Sequence, residues 1–256
     1  MNTLDLFRLD GKVALITGAS RGLGKEMARA LADAGADVAI TSRSQQHVAP
    51  AAEALAREIG RDVLPIVADV RSPDDVRRMV KETLGRFGRL DILINNAGVN
   101  VRHPAHEFTM DEWRQVIDTN LTGLFLCCQA VLPTMMAQKS GRIINIGSMV
   151  GLIGIASRAP YSASKAAVHQ LTRTLAVEYA KYNITVNAIA PGPFLTEMNL
   201  QVTDDPETYR WFIDRIPLGR WADPKELRGA ALFLASEASS FVTGAIISVD
   251  GGWTAQ

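Results

Sequence analysis

The stretch VALITGASRGLG, from Val13 to Gly24, places four apolar residues directly before a turn rich in glycine. A helical pattern follows, so the local order is strand, glycine turn and helix. Glycines let the backbone turn tightly and approach a pyrophosphate, which the positive end of a helix stabilises. Glycines also end strands for purely steric reasons, but the position of this turn between the first strand and the first helix favours a dinucleotide site. The residues of the turn that are predicted to bind the dinucleotide are Gly18, Ser20, Arg21, Gly22, Leu23 and Gly24.

Outward from this turn, short apolar runs alternate with longer amphipathic segments along the whole chain. The runs are mostly apolar throughout, as expected for strands that are buried on both faces. Regular alternation predicts a seven-stranded parallel sheet with helices on both faces, and the absence of a linker or repeat predicts a single domain over residues 1–256. The predicted strands are Val13–Thr17, Asp37–Thr41, Val63–Val67, Ile92–Ile94, Ile143–Ile146, Thr185–Ile189 and Ile246–Val249. The predicted helices lie near residues 23–34, 46–59, 73–87, 111–137, 161–181 and 224–236.

The composition disfavours several classes of protein. The 27 basic and 27 acidic residues cancel, so the chain has no broad electrostatic attraction to nucleic acid or to anionic membranes. The N-terminus lacks the pattern of a signal peptide, and we expect no uninterrupted apolar run long enough to span a bilayer. The two cysteines, Cys127 and Cys128, are adjacent in an apolar stretch and are interpreted as reduced thiols. These features predict a cytoplasmic protein with no nucleic-acid or membrane partner.

The end of the second predicted strand bears on the identity of the dinucleotide. An enzyme that uses NAD usually has an acidic residue there, which binds the ribose 2′-hydroxyl. This chain has Ser42 and Arg43 instead. Arg43 would meet the 2′-phosphate of NADP, with Ser42 as a hydrogen-bonding neighbour and Arg21 as a second cation, although an exposed arginine is also ordinary in a surface turn. The interpretation is NADP, with NAD as the alternative.

Two more strand ends carry candidate cofactor contacts. Asp69 and Val70 follow the third predicted strand, where the Asp69 carboxylate either accepts a hydrogen bond from the adenine amino group or stabilises a turn. Asn95-Asn96-Ala97-Gly98 follows the fourth, and its small residues suit a wall against which the adenosine ribose lies. The predicted contacts in that second stretch are Asn96, Ala97 and Gly98.

Three residues with the chemistry of carbonyl reduction follow the fifth predicted strand. Tyr161 and Lys165 are four residues apart at the start of a predicted helix, so both side chains lie on one face. The ordinary tyrosine pKa of about 10 makes a poor base, but a nearby ammonium group and an oxidised nicotinamide both lower that pKa. Tyr161 can then protonate a carbonyl oxygen or deprotonate an alcohol, while Ser148 donates a hydrogen bond to the same oxygen and Lys165 also binds the nicotinamide ribose. A tyrosine and a lysine at this spacing are by themselves more typical of an amphipathic surface helix; the combination with Ser148 and the glycine turn favours catalysis.

Together these motifs resemble the short-chain dehydrogenase/reductase family over residues 12–252. The matching stretches are TGASRGLG from Thr17, NNAG from Asn95, the serine at 148, YSASK from Tyr161 and PG at Pro191. The resemblance implies a single-domain Rossmann fold and an enzyme that moves hydride between a nicotinamide dinucleotide and a ketone or secondary alcohol. It also implies a homotetramer.

The resemblance further implies roles for residues outside these motifs. Asn120 matches the fourth active-site residue of the family, which holds a water molecule that links Lys165 to solvent; from the residues alone it is an asparagine in a long apolar helix that needs a local partner. Thr196 would bond the nicotinamide carboxamide. A substrate lid is placed near 193–219, with a plain surface excursion as the alternative. The residues predicted to line the nicotinamide are Pro191, Gly192, Phe194 and Thr196, and the predicted catalytic residues are Asn120, Ser148, Tyr161 and Lys165.

The sequence carries less information on the substrate. Overall the chain resembles two branches of the family, the gluconate 5-dehydrogenases and the 3-oxoacyl-(acyl-carrier-protein) reductases. An acyl carrier protein is acidic and requires a basic docking face, to which Lys139 and Lys181 can contribute. A sugar acid or polyol of the first branch is slightly favoured. The candidates by position for binding a sugar acid are Arg102, His103, Arg158 and Asn199.

An alternative from a different class is a dinucleotide-binding regulator that has kept the fold and lost the chemistry, because fold alone does not establish activity. A regulator has no reason to keep Ser148, Tyr161 and Lys165 at working spacing, so the enzyme is the preferred interpretation. No metal site is predicted, since His103 and His106 have no convergent ligand set. His47 and His169 are interpreted as ordinary helical residues, and the four tryptophans as core or interface packing.

Overall fold

The computed structural model describes residues 2–199 and 204–256. Its seven strands pair in parallel in the order β3-β2-β1-β4-β5-β6-β7, which confirms the predicted Rossmann-like fold class. The observed strands differ from the predicted ones only at their ends. The strands are β1 (Val13–Ile16), β2 (Asp37–Ser42), β3 (Val63–Val67), β4 (Ile92–Asn95), β5 (Gly141–Ile146), β6 (Ile184–Pro191) and β7 (Ile246–Val249).

The helices are bounded by recognisable stop and start signals. The helix at 73–87 begins after Ser72, whose side chain accepts a hydrogen bond from Asp75 N, and ends at Gly88 in the left-handed conformation. The α-helices are α1 (Gly22–Asp33), α2 (Gln45–Ile59), α3 (Pro73–Phe87), α4 (Met110–Ile117), α5 (Gly123–Gln138), α6 (Ala159–Tyr179), α7 (Pro206–Ile213) and α8 (Arg228–Ala235).

Two helical predictions need correction, and one helix was not predicted. The predicted helix 111–137 is divided into α4 and α5 by a π-helical turn, Asp118–Thr122. The predicted helix 224–236 begins as a 3-10 turn, Pro224–Leu227, before α8. The segment of α7 carried no helix prediction, because a helix of 8 residues is too short for its periodicity to stand out.

Two apolar cores lie on opposite faces of the sheet. Alternate residues of β1 divide between them, as the pleat of a strand requires. Ala14 and Ile16 belong to the core covered by α1, α2 and α8, whereas Val13 and Leu15 belong to the core covered by α3, α5 and α6. The side chains of the strands are therefore buried on both faces, and the loops at the carboxyl edge of the sheet are left to form a site.

A polar bridge crosses the second of these cores. Asn95 Nδ2 on β4 donates to Asn145 Oδ1 on β5 at 2.9 Å, and Asn145 Nδ2 donates to Thr172 Oγ1 on α6 at 3.0 Å. Asn145 and Thr172 are fully buried. Because a buried amide without a partner is costly, this bridge fixes how α6 lies along the sheet.

One helical run, Met110–Gln138, is long and apolar enough to cross a membrane by length and composition alone, contrary to the expectation that no such run exists. The run spans α4, the π turn and α5. Of its most apolar window 44% is buried inside the molecule, where α5 packs against the sheet. The core helix of a globular protein passes the same test, so this run is weak support for a membrane segment.

Replacing Thr172 by valine preserves the shape of the side chain and removes the acceptor of the Asn145 amide. Because a buried donor without a partner costs about 1–3 kcal/mol, we expect Thr172→Val to lower the free energy of unfolding by that amount in urea denaturation. The matched control is Thr174→Val, whose exposed hydroxyl donates to the Gln170 carbonyl one turn away in the same helix. That change should cost less than about 0.5 kcal/mol. Equal losses in the two variants would contradict the role of the bridge.

Candidate active site

A cavity of about 1070 Å³ runs along the carboxyl edge of the sheet. Residues that follow each of β1 to β6 line it, as expected for a ligand site in an open parallel sheet. The predicted cofactor and catalytic residues line this cavity with two exceptions, Gly24 and Asn120. The chain therefore brings to one place residues that are separated by more than a hundred positions in the sequence.

The glycine turn and the turn after β4 are joined by hydrogen bonds. Thr17 Oγ1 accepts from the backbone N–H groups of Asn96 at 3.0 Å and Ala97 at 3.1 Å, and Asn96 Nδ2 donates to the carbonyls of Thr17 and Gly18 at 2.9 Å. Gly18 has a φ of 64°, and a Cβ there would lie 2.8 Å from Ala97 Cα. A Cβ on Gly24 would lie 2.7 Å from the Gly18 carbonyl oxygen. Only glycine fits either position, so Gly24 shapes the turn without lining the cavity.

At the far end of the cavity, the side chains of two predicted cofactor contacts form hydrogen bonds with other residues of the protein. The Ser42 hydroxyl donates to the Ser44 carbonyl at 3.0 Å and accepts from Ser44 N at 3.1 Å, so it stabilises its own turn. The Asp69 carboxylate accepts from Arg71 Nη2 at 2.6 Å, and the bonds to Arg71 lower the pKa of Asp69. Arg43 is exposed on the cavity wall and has no ion-pair partner in the described part of the chain.

The glycine turn also touches the segment after β6. Arg21 forms an ion pair with Glu197, which lies 176 positions later in the sequence. A Cβ on Gly22 would lie 3.8 Å from the methyl group of Thr196. Arg21 was expected to face a phosphate as a second free cation, but in the structure its guanidinium binds a carboxylate across the cavity mouth.

The predicted lid, near 193–219, is described except for residues 200–203, which lie outside the described residues. Phe194 is 1% exposed and forms an isolated parallel bridge with Ala222. A short 3-10 turn, Glu197–Asn199, precedes the gap and α7 follows it. Residues of this segment line the cavity, and its movement stays a prediction.

The serine, tyrosine and lysine lie together in the middle of the cavity. Ser148 follows β5 and caps a 3-10 turn, Met149–Gly151, where its hydroxyl accepts from Val150 N at 3.3 Å. Tyr161 and Lys165 lie one turn apart on α6, with the Lys165 Nζ 5.6 Å from the centre of the tyrosine ring. Lys165 Nζ also donates to the Ile146 carbonyl oxygen at 2.6 Å, and burial lowers its pKa to about 8.

The positive charges around Tyr161 include two arginines beside the lysine that the sequence indicated. Burial raises the pKa of Tyr161, whereas hydrogen bonding to Ser148 and the positive charges of Arg158 and Arg102 lower it. The sequence assigned that charge effect to Lys165, whose Nζ lies 5.6 Å from the centre of the tyrosine ring. The two arginines add positive charges that the sequence did not assign to this effect, because both line the same cavity as the phenol.

Asn120 lies beside this group, in the π turn between α4 and α5. Its Oδ1 accepts from Val99 N at 2.8 Å, and its Nδ2 donates to the Val99 carbonyl at 2.9 Å and to Ser164 Oγ at 3.2 Å. The asparagine thus has the local partner that the sequence required, in the loop after β4. A π turn within a helix is frequent at functional sites, because it displaces one side chain from the regular helical positions. The water-holding role of Asn120 stays a prediction.

Arg102 and Arg158 form the cationic wall of the cavity near Tyr161. Arg102 Nη2 donates to Asn199 Oδ1 at 3.1 Å, and the Arg158 guanidinium carbon lies 5.5 Å from the centre of the Phe212 ring. Burial lowers the pKa of Arg102, and burial together with the like charge of Arg102 lowers the pKa of Arg158. Both arginines remain charged at neutral pH because the ordinary pKa of the guanidinium is far higher.

Neither arginine meets a carboxylate among the described residues. The two carboxylates that line the cavity are Asp69, which binds Arg71, and Glu197, which binds Arg21. The middle of the cavity therefore carries excess positive charge, and the group that balances it would come from a ligand.

Some contributors to the cavity were missed by the sequence, and one candidate lies outside it. Trp221 and Phe212 line the cavity as an aromatic wall, although the tryptophans were interpreted as packing. Trp221 is 4% exposed and stacks on Tyr209 with ring centres 6.0 Å apart, so it also belongs to a packed cluster. His103 does not line the cavity, and its Nε2 lies 3.1 Å from Glu112 Oε1. Within residues 2–199 and 204–256, no cluster of three histidine, cysteine or acidic side chains could hold a metal ion.

Comparison with known proteins gives a consistent set of relatives. A family model described as enoyl-(acyl carrier protein) reductase matches residues 18–254. The 5-keto-D-gluconate 5-reductase of Escherichia coli (strain K12) is 43% identical over 248 residues, which cover 97% of this chain and 97% of the relative. A 3-oxoacyl-(acyl-carrier-protein) reductase of Synechocystis sp. is 42% identical over 95% of this chain and 97% of the relative. A crystal structure of a gluconate 5-dehydrogenase from Burkholderia cenocepacia, in complex with NADP and tartrate, is 43% identical over 100% of both chains, with a TM-score of 0.96.

Proposed function

The chain belongs to the short-chain dehydrogenase/reductase family, and we propose that it interconverts a keto sugar acid and the corresponding hydroxy acid with NADP(H). It is an NAD(P)-dependent oxidoreductase, as its relatives are. The observation that carries the sugar-acid proposal is the pair Arg102 and Arg158, which line the cavity beside Tyr161 without a carboxylate partner among the described residues.

The far end of the cavity fits the 2′-phosphate of NADP. Arg43 is an exposed cation on the cavity wall, and Ser42 occupies the position where an acidic residue would repel a phosphate. The structurally similar enzymes from Burkholderia cenocepacia and Beutenbergia cavernae were crystallised with NADP. When bound, the dinucleotide supplies or accepts the hydride. The glycine turn would hold its pyrophosphate, and Pro191, Gly192, Phe194 and Thr196 would line its nicotinamide.

Tyr161 moves the proton in this proposal. Burial raises its pKa, so the phenol is protonated at neutral pH and can donate its proton to a carbonyl oxygen. The Ser148 hydroxyl donates a hydrogen bond to the same oxygen and fixes its position. In the reverse direction, the charges of Arg158 and Arg102 stabilise the tyrosinate that accepts a proton from the alcohol. Lys165 and Asn120 would return the proton to solvent through a held water.

Arg102 and Arg158 recognise the carboxylate of the substrate. A guanidinium pairs with a carboxylate through two parallel hydrogen bonds, and this geometry orients as well as binds the ligand. The gluconate 5-dehydrogenase from Burkholderia cenocepacia was crystallised with tartrate, a hydroxylated dicarboxylate. A 3-oxoacyl thioester, the substrate class in the name of the Synechocystis relative, has no carboxylate near its ketone, so the two arginines favour the sugar acid.

We further propose the wider organisation of the protein from its fold and surface. Residues 1–256 form one domain, with the segment near 193–219 as the lid. Exposed apolar side chains on the outer faces of α5 and α6, such as Phe125 and Val177, support assembly into a homotetramer. The free, buried thiols of Cys127 and Cys128 support a cytoplasmic location.

Loss of the Tyr161 hydroxyl tests the proton-transfer step. We expect Tyr161→Phe to bind NADPH as the wild type does, measured by nicotinamide fluorescence. We expect its turnover of 5-keto-D-gluconate to fall by roughly 10²–10⁴-fold, because general acid catalysis contributes that much. Undiminished turnover would remove Tyr161 from the mechanism.

Loss of the Arg158 charge tests the anion-binding role. A hydrogen bond to a charged group contributes about 1.5–3 kcal/mol, so we expect Arg158→Leu to raise the KM for 5-keto-D-gluconate roughly tenfold to a hundredfold. Arg173→Leu, which changes an exposed arginine later on α6, is the matched control. The kcat/KM for a neutral ketone should stay constant in Arg173→Leu and fall much less than that for the keto acid in Arg158→Leu, because a neutral substrate loses only the effect of the Arg158 charge on Tyr161. Equal losses on charged and neutral substrates would contradict the proposal.

Reversal of the charge at Arg43 tests the dinucleotide preference. An aspartate there would face the 2′-phosphate with a like charge, so we expect Arg43→Asp to lower kcat/KM with NADPH by about tenfold or more relative to NADH. Arg57→Asp makes the same charge change on the exposed face of α2 and should leave the ratio unaltered. An unchanged NADPH-to-NADH ratio in Arg43→Asp would show that this side chain does not bind the phosphate.

A further inference from the structure

His169 lies against the loop that carries Ser148. It is on α6, one turn after Lys165, and its side chain is 2% exposed. The imidazole fills the space between Gly147 and Gly151, which bracket the serine. A Cβ on Gly147 would lie 2.6 Å from the ring Cδ2, and a Cβ on Gly151 would lie 2.8 Å from Cε1. The ring can occupy this place only because positions 147 and 151 are both glycine.

The ring also bonds the backbone of the serine itself. Ser148 N donates to His169 Nε2 at 3.5 Å, a long hydrogen bond in which Nε2 is the acceptor; the ring proton is then assigned to Nδ1, which is buried and has no hydrogen-bond partner among the described residues. Burial, with the positive charges of Lys165 and Arg173, lowers the pKa of His169 to about 4. The imidazole is therefore neutral at neutral pH, and the acceptor at Nε2 is retained.

The contact belongs to a row that joins α6 to β5 and its extension. Thr172 bonds Asn145, Lys165 bonds the Ile146 carbonyl, and His169 bonds Ser148 N. Of these three contacts, the one from His169 reaches the serine. The backbone of Ser148 is extended, with a φ of −171°, and the Ser148 hydroxyl accepts a hydrogen bond from Val150 N. His169 thus fixes the backbone of a residue whose hydroxyl must point at the Tyr161 phenol.

We propose that His169 is a positioning residue for Ser148: its neutral ring holds the 147–151 loop so that the serine hydroxyl faces the same substrate oxygen as Tyr161. The inference rests on the proposed reduction at Ser148 and Tyr161. His169 itself touches neither substrate nor cofactor in this arrangement, since it does not line the cavity. An isolated histidine on a helix is ordinary, so this role has no signal in the local sequence.

A double-mutant cycle tests the inference. We expect His169→Leu to lower kcat about tenfold with little change in the KM for NADPH, because it removes the acceptor of Ser148 N. His169→Gln places an amide oxygen near the position of Nε2 and should retain kcat within about twofold of the wild type. In a Ser148→Ala background, His169→Leu should change kcat by less than about twofold, because there is no hydroxyl left to position.

Thr172→Val is the matched control, since it removes a buried polar contact between the same helix and the same strand without touching Ser148. Thr172→Val should change kcat by the same factor in the wild-type background and in the Ser148→Ala background. Equal factors for His169→Leu in the two backgrounds would overturn the inference and indicate a merely structural histidine. If His169→Leu does not fold, His169→Asn replaces it, because its shorter amide reaches the Nδ1 position instead of Nε2. Equal kcat values for the asparagine and glutamine variants would then overturn the inference.

A second readout does not depend on turnover. The ultraviolet absorbance of tyrosinate, measured against pH and corrected with the matching Tyr161→Phe protein, reports the pKa of Tyr161. Because hydrogen bonding to Ser148 lowers that pKa, we expect it to rise in both Ser148→Ala and His169→Leu and to stay constant in His169→Gln. A rise in Ser148→Ala alone would overturn the positioning role. If the wild type does not turn over a keto sugar acid, that result counts against the proposed function. The titration of Tyr161 then still tests whether His169 positions Ser148.

Discussion

All seven strands run in the same direction, and this constraint determines where the chemistry of the molecule lies. Parallel strands end at one edge, so the loops that follow β1 to β6 open onto the same cavity. The glycine turn, Arg43 and Ser148 all follow strands, and they meet there although the sequence separates them widely. The helix α6 is then fixed to this edge by the bond from Lys165 Nζ to the Ile146 carbonyl oxygen at 2.6 Å, which places Tyr161 opposite the serine.

The distribution of charge within the cavity connects recognition to chemistry. At its mouth, Glu197 is neutralised by Arg21, whereas Arg102 and Arg158 meet no carboxylate among the described residues. These two cations also lower the pKa of Tyr161. In the proposed reaction, a substrate carboxylate bound between them would offset their effect on this pKa and so favour the protonated phenol, which is the form that reduction requires.

Local patterns in the sequence were sufficient to predict the strands, the glycine turn and the spacing of Tyr161 and Lys165. Each of these depends on neighbours within a few positions, such as apolar runs, positive-φ glycines or a helical repeat. The sequence could not predict the π turn at Asn120, because the asparagine leaves the helical pattern to bond the Val99 backbone in another loop. Nor could it predict the pairing of Arg21 with Glu197 or the contact of His169 with Ser148, since these bonds join residues that only the folded sheet brings together.

The most direct test of the account is the steady-state reduction of 5-keto-D-gluconate by the wild-type protein with NADPH, followed by nicotinamide absorbance. It should be compared with a neutral ketose and with a 3-oxoacyl thioester under the same conditions. The account predicts the highest kcat/KM for the keto acid, because that substrate alone of the three carries a carboxylate for Arg102 and Arg158. A higher kcat/KM for the thioester, or equal values for the keto acid and the neutral ketose, would contradict it.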